Sequence, residues 1–579
     1  MQLLLLWLAV HAAAALVHTP PLPHKTRLLA TTTLVDRALD TLEDATLHLT
    51  RLSEGDAQDV GPRNDDDDRA TLVVLGSGWA SHALIKVVDA NKYRVVVVSP
   101  RNHFVFTPML ASAAVGTVEY RSMTESVRGA NPLVQFVEGA ATGVDLDARF
   151  VTVQPVPLGG DAPAPQRISY DALVVAVGSR AADAGVPGAR ERCFALKDCE
   201  DARRLREAVG ERFERAARAG DQATARELTF AVVGGGATGV ELAGELSDFV
   251  NDVGRLYPSL PQEAPRVVLV HSGDELLPQF DPDLRIEAFR ALERRGVTVR
   301  LGRRVQRVDE EALRLDDGSD VPCALCAWCV SESETTHTPL QRRVDTQVRR
   351  HGARALHRVA PGACWGRRST LCRRLAARGG LCGNQILRRV HSRRPPRHRR
   401  DACVAMPVPR GSTEVHPMHW LISTQVAGAP PGTVYGLGDA FCCVPNGESE
   451  PVPQTAQVAG QQGAYVARLL NRGYDCARTP PLLPAETRTA VANWLRLRGA
   501  EEASEFSFLN LGLLAYVGGG AALSQVQVGD ARVGAWAGSA AFLLWRSVYI
   551  VKQVATRNRV LVTFDWVKTA LFGRDITRL

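Results

Sequence analysis

From Thr71 onward the chain alternates short, continuously apolar runs with amphipathic stretches. Thr71–Leu75 and Arg94–Val98 are apolar almost throughout, as parallel strands covered on both faces must be, and Ala80–Asn91 between them carries a helical period. Tyr170–Gly178 is a further strand of this kind and closes a first module. The pattern then restarts with a strand at Thr229–Val233, a helix from Ala237 to Phe249 and a strand at Arg266–Val270. Thr298–Leu301 and Val321–Val330 supply more strands, and Gly432–Gly436 enters a last one that returns to the first sheet. This order predicts an α/β fold of two dinucleotide-binding, Rossmann-like domains, the second inserted in the first.

A glycine-rich turn stands directly behind the leading strand of each module: Gly76-Ser77-Gly78, and Gly234-Gly235-Gly236 with Gly239. In such turns one glycine makes the bend and the next lets backbone approach a pyrophosphate, which rests on the amino end of the following helix. The first turn carries Ser81 at the third fingerprint position, whereas the second is complete. Alone, either turn also fits an ordinary strand-to-helix connection. A third element, Gly438-Asp439, ends the returning strand. Two dinucleotide folds in one chain imply two dinucleotides held face to face, hence a flavin enzyme fed by a nicotinamide cofactor. The strand end that usually offers a carboxylate to the ribose 2′-hydroxyl carries His271 instead, so nothing there repels a 2′-phosphate, and NADPH is expected to serve as well as NADH.

Charge and cysteine usage narrow the picture. In residues 341–410 Arg dominates, Lys is absent and Asp345 and Asp401 are the only acids, so the net charge of +7 resides in that segment. Residues 331–412 lack both strand and helix periodicity and interleaved aromatics, which argues against a nucleic-acid-binding surface. The segment reads as translated non-coding sequence, a retained intron or frameshift, and disorder is expected there. None of the 12 Cys precedes Cys193, which excludes a disulfide reductase with redox cysteines beside the first module's flavin. Cys323, Cys326 and Cys329 are spaced like metal ligands but lie on a predicted buried strand without a fourth ligand, so core thiols and no metal are expected. Residues 1–17 resemble a signal peptide, and the acid-free stretch after them a transit sequence; the pairing suits a plastid reached by secretion, the alternative being an atypical mitochondrial presequence.

Four stretches carry a specific resemblance: Ser99–Leu110, Gly234–Leu246, Pro453–Gly463, and the carboxy-terminal Leu511–Gly518 with Trp545–Ile576. On these the chain resembles the type II (alternative, non-proton-pumping) NADH:quinone oxidoreductases of the mitochondrial kind. The resemblance implies FAD held by Gly76, Gly78, Ser99, Arg101, Gly438 and Asp439, with Thr107 and Pro108 near the isoalloxazine. It implies NADH on Gly234, Gly236, Gly239 and the strand end at His271, an acid at Glu241 near both substrates, and Gln457, Gln461 and Gln462 on the quinone side. Quinone reduction consumes protons, so Glu241, or water near Gln461, is the expected delivery point. The family's Trp-x-Thr-Gly-like turn is replaced here by Ala327–Ser331.

The implied domains are a targeting segment and linker at 1–69, an FAD-binding domain at 70–190 and 413–495, and an NAD(P)H-binding domain at 191–330. The Arg-rich segment 331–412 and a membrane-association region at 496–579 complete the chain. In that last region Val560, Phe564, Val567 and Leu571 recur at helical spacing, with Trp545, Tyr549, Trp566, Phe572 and basic residues such as Lys568 and Arg574 among them. Such a pattern suits a helix lying on an anionic bilayer, and a lipid-soluble acceptor favours that reading over a helix packed on its own core. Expected partners are therefore a quinone and a membrane surface, the mitochondrial inner membrane or, alternatively, a plastid membrane; a homodimer is left open. Cys442 and Cys443, just past Gly438-Asp439, keep a sulfide:quinone-type reductase as the alternative, together with a catalytically impaired FAD-binding homologue.

Overall fold

The first apolar run forms β1 (Ala70–Leu75), and its last four side chains are wholly buried, each contributing about 1.5–3 kcal/mol by leaving water. A computed structural model describes residues 68–330, 429, 432–441, 443, 451–473 and 506–574, with short breaks within 158–162, at 182, at 221–224, within 259–265 and at 529–530. The expectations for the targeting segment and for residues 331–412 fall outside the described residues.

After β1 come α1 (Trp79–Val87), β2 (Tyr93–Ser99), β3 (Gln135–Asp145), β4 (Phe150–Pro155), β5 (Gln166–Ser169) and β6 (Ala172–Val175). The second module follows with α2 (Cys199–Ala219), β7 (Thr229–Val233), α3 (Ala237–Val253), β8 (Arg266–Val270), α4 (Pro282–Arg294), β9 (Val297–Arg300) and β10 (Leu325–Trp328). The chain returns through β11 (Val434–Gly436) and α5 (Ala456–Asn471). It ends in β12 (Gly512–Gly518), β13 (Ala521–Val528), β14 (Ala531–Gly538), α6 (Ser539–Lys552) and α7 (Thr556–Phe572).

Seven strands in the order β11-β6-β1-β2-β3-β4-β5 make the first sheet. Its first five are parallel, and β4 and β5 extend it antiparallel. The second sheet is wholly parallel, in the order β9-β8-β7-β10. Because β11 lies beside β6 in the first sheet, with the whole second sheet between them in sequence, the insertion layout is observed directly.

The structure shifts several expected boundaries. The first helix stops at Val87 rather than Asn91, since Asn471 of α5 donates to the Val87 carbonyl and accepts from the Asp89 amide. That cap comes from almost four hundred residues away, which no local pattern reports. The apolar run Val321–Val330 divides at Cys323, its start joining a small antiparallel sheet (Val305–Val308, Ala312–Leu315, Asp320–Pro322) and its end forming β10. The carboxy-terminal region, expected to be helical, opens with the antiparallel sheet β12-β13-β14. The apolar stretch Ala535–Trp545 accordingly ends a strand at Gly538, which has a positive φ, and begins a helix at Ser539.

Candidate functional site

In the first turn Gly76 adopts φ +107° and its amide donates to Val98 at the end of β2. A side chain there would strike the Ala176 carbonyl, whereas the space around the Cα of Gly78 is open. Gly78 caps α1 without any side-chain hydrogen bond, so the helix presents its first amides and its positive end to whatever fills that space. Ser99 is buried at the end of β2, where its hydroxyl meets Ser77 Oγ at 3.0 Å and accepts from the Arg101 amide at 3.2 Å. Arg101 reaches across to Asp198 at 3.3 Å, the cap of α2. Thr107 Oγ1 accepts from the Trp79 indole at 3.0 Å, and Pro108 follows it in a short 3₁₀ turn. Gly438, with φ +66°, hands its amide to Gln462 Oε1 at 2.7 Å, and Asp439 accepts from Ser179 at 3.1 Å, with Lys197 on the same hydroxyl at 3.2 Å. Ser179 and Lys197 went unnoticed in the sequence because neither belongs to a motif; only the fold brings them to Asp439.

The second turn repeats this construction. Gly234 has φ +117°, and a side chain on Gly239 would lie 1.9 Å from the Gly234 carbonyl, so strand and helix close up only with glycine there. Gly236 caps α3 and, like Gly78, faces open space. His271, at the end of β8, accepts the Gly235 amide on Nδ1 at 3.0 Å. Burial lowers its pKa, opposed by a hydrogen bond to the Glu275 backbone.

Helix α3 joins this turn to the rest of the molecule. Glu241 lies on its second turn, 7% exposed, and its Oε1 accepts the Tyr516 amide of β12 at 3.2 Å. Burial pushes the carboxyl up to about 8, only partly offset by the Tyr516 amide and by the indole of Trp545, which faces it without completing a hydrogen bond. One turn on, Glu245 accepts from Ser112 at 2.6 Å and Thr117 at 3.0 Å and faces Arg574 at 3.4 Å. Asp248 accepts from the Tyr516 hydroxyl at 2.6 Å and the Gly519 amide at 2.9 Å, and pairs with Arg295. The signal for Glu245 and Asp248 was present in the sequence: with Glu241 and Asp252 they are four carboxylates at helical spacing along one helix.

The three glutamines divide their work. Gln462 is buried and fixes the Gly438 turn from behind. Gln461 exchanges two hydrogen bonds with the Leu509 backbone, at 2.9 and 3.0 Å, and Gln457 reaches the same carbonyl at 3.5 Å. They dock the segment leading into β12 onto α5. Cys443 packs with Val458 and Phe506, and Cys442 lies outside the described residues.

The structure sorts the expected membrane face. Trp545, Tyr549 and Trp566 are buried, forming an aromatic cluster with Tyr516 and Phe542, and Arg574 is an internal clamp on Glu245 and Asp252. The three aromatics leave the surface because they pack against one another and against Tyr516 of β12, and Arg574 because it pairs with carboxylates of α3. Val560, Phe564, Val567 and Leu571 remain outside on one face of α7, with Phe572 and with Leu543 of α6. Among the described residues no helix is long and apolar enough to cross a membrane.

Two glycine-led nucleotide turns, one sheet inserted in the other and a helix running from the second turn into a carboxy-terminal unit define a pyridine nucleotide oxidoreductase. The comparisons agree: residues 70–353 match the pyridine nucleotide-disulphide oxidoreductase family and 510–575 match the NDH2 C-terminal domain. An external alternative NAD(P)H-ubiquinone oxidoreductase B1 of Arabidopsis thaliana is 32% identical over 562 residues, covering 90% of this chain and 94% of its own. The external alternative NADH-ubiquinone oxidoreductase of Yarrowia lipolytica is 28% identical, covering 89% of this chain and 81% of its own. The solved NDH2 of Plasmodium falciparum in complex with NADH has the same fold, with a TM-score of 0.64 at 17% identity over 88% of this chain and 100% of its own. The chain belongs to the alternative NAD(P)H-ubiquinone oxidoreductases.

The elevated Glu241 carboxyl has a definite consequence for stability. The unfolded chain titrates this group near the ordinary carboxyl value of 4.5 and the folded chain at about 8, so between those values the folded state holds the extra proton and stability falls as pH rises. Glu241→Gln is expected to flatten the decline from pH 4.5 to 8, gaining on the order of a few kcal/mol at the upper end. Chemical denaturation of both proteins across this range measures it; parallel curves would contradict a buried neutral acid.

Proposed function

We propose that this chain binds FAD in the first module, takes hydride from NADH, or NADPH, at the second, and reduces a membrane quinone without moving protons across the bilayer. The observation that carries the reading is α3: its amino end belongs to the nucleotide turn and its second turn holds a neutral, buried acid against the carboxy-terminal unit. The residues of the first module fit FAD, because Gly76 leaves no room for a side chain while the approach to Gly78 stands open and Asp439 is held by Ser179. Gly76, Gly78, Ser99 and Arg101 would hold its adenosine and pyrophosphate half, Gly438 and Asp439 its ribityl chain, and Thr107 with Pro108 would line the ring. Bound there, FAD supplies two-electron chemistry between a nicotinamide and a quinone.

The protein's own contribution is orientation and proton supply. Gly234, Gly236 and Gly239 bring backbone amides to the NAD(P)H pyrophosphate, and His271 imposes no negative charge on the ribose. Glu241, with Oε1 engaged by Tyr516, keeps its proton near neutral pH and delivers it toward the reduced quinone. Gln457, Gln461 and Gln462 shape the quinone side by holding the Leu509 segment and the Gly438 turn. Purified full-length protein should release FAD on denaturation, lose flavin absorbance with NADH in the absence of oxygen and regain it with a short-chain quinone analogue. Protein isolated without flavin would overturn the proposal.

His271 sets the nucleotide preference. Glu in its place would pair with a ribose 2′-hydroxyl and repel a 2′-phosphate, so His271→Glu should lower the NADPH-to-NADH ratio of kcat/KM at least tenfold, about 1.4 kcal/mol. An unchanged ratio would remove His271 from the site.

We further propose that α6 and α7 lie on the mitochondrial inner membrane, where the quinone is collected. Phe564 and Leu571, 62% and 70% exposed with Val567 between them on one face, are the contact the reading rests on. Phe564→Glu with Leu571→Glu should cut binding to anionic lipid vesicles at least tenfold while turnover of a water-soluble quinone analogue persists. Undiminished vesicle binding would refute the surface.

A further inference from the structure

The cysteines of the second module form a grouping that hydride transfer does not use. Residues 193–194 cross from the first module and lay a short parallel bridge along the edge of β10. The Phe194 amide donates to the Cys326 carbonyl at 2.8 Å, and the Phe194 carbonyl accepts from Trp328 at 2.7 Å, which pairs Phe194 with Ala327. The preceding pair in that register is Cys193 with Cys326. Neighbouring strands run about 4.7–4.9 Å apart and residues paired in register project to the same face, which falls inside the Cα separation of about 4.4–6.8 Å that a disulfide spans. Cys193 is half-buried, Cys326 is buried, and both pack in one apolar cluster with Cys323, Val233 and Val268.

We propose that Cys193 and Cys326 form a reversible disulfide, a thiol-oxidation site whose co-reactant is a small disulfide such as oxidised glutathione. The more accessible Cys193, as thiolate, attacks one sulfur of the small disulfide, making a mixed disulfide and releasing one small thiol. Cys326 then gives up its proton and attacks the Cys193 sulfur, closing the protein disulfide and releasing the second small thiol. Two protein thiols are oxidised, one small disulfide is reduced, and both protons pass to the departing thiols.

The bridge would staple two segments that each lead to a nucleotide turn. Four residues past Cys193, Lys197 contacts the Ser179 hydroxyl that holds Asp439, and Asp198 meets Arg101. Three residues past Cys326, the Cys329 carbonyl closes the space behind Gly234. Oxidation therefore fixes the crossover between the two modules without adding an atom to either turn. The neighbouring Cys193 sulfur and burial both push the Cys326 thiol well up, so its attack on the mixed disulfide is slower than that of an ordinary thiol.

The test uses the full chain held overnight in oxidised glutathione, alkylated to trap free thiols, and digested without reduction. A peptide pair joining Cys193 to Cys326 is expected, lighter by two hydrogens than the free peptides, with two fewer alkylatable thiols per chain and both recovered by dithiothreitol. In Cys193→Ser, Cys326 should be alkylated in full; in Cys326→Ser, Cys193 should stop at the glutathione adduct. Wild-type protein that keeps both thiols alkylatable, accumulates a stable Cys193 adduct, or bridges Cys193 to Cys323 instead would overturn the proposal.

Discussion

Helix α3 is enclosed on nearly every side, yet carries Glu241, Glu245 and Asp248 into that enclosure. Unpaired buried carboxylates are among the most costly groups a fold can hold, and removing one partner of a buried pair costs about 3–5 kcal/mol. Every neighbour of α3 is therefore under obligation. Ser112 and Thr117 come from the first module, Arg295 from the second, and Tyr516, Gly519 and Arg574 from the carboxy-terminal unit. The relative arrangement of the three parts follows from the need to satisfy one helix.

The same helix has two unlike ends. Its amino end has no side-chain cap, whereas burial of its interior face raises the Glu241 carboxyl to about 8. Glu245 is raised by burial as well, but Arg574 opposes the shift and two hydroxyls donate to its oxygens. Two carboxylates one turn apart thereby meet different surroundings: Glu241 faces one backbone amide, and Glu245 faces two hydroxyls and a guanidinium. The difference lies in what faces them, not in the residue type.

Recognition by motif reached the glycine turns, Gly438-Asp439 and the alternation of strands and helices, because those depend on backbone geometry that only particular residues permit nearby in sequence. It did not reach Ser179 and Lys197, whose relation to Asp439 spans two crossovers, nor the end of α1, which Asn471 caps from the far side of the inserted domain. In the carboxy-terminal region the periodicity of α7 was legible, but which of its aromatics faced inward was not: Trp566 and Phe572 look alike in a basic, amphipathic stretch. Only the presence of Trp545 opposite it, itself packed on Tyr516, makes Trp566 a core residue.

The chain's own order of residues determined two nucleotide folds, their nesting and the glycines that make their turns, since each is decided by φ, by close approach or by a period within a few residues. Tertiary structure alone decided that Glu241 is buried and its carboxyl raised, that Gln461 holds a backbone segment, that Arg574 faces inward and that Cys193 lies opposite Cys326. Charge state, pairing and exposure depend on what packs against a side chain, and here those partners lie tens to hundreds of residues away.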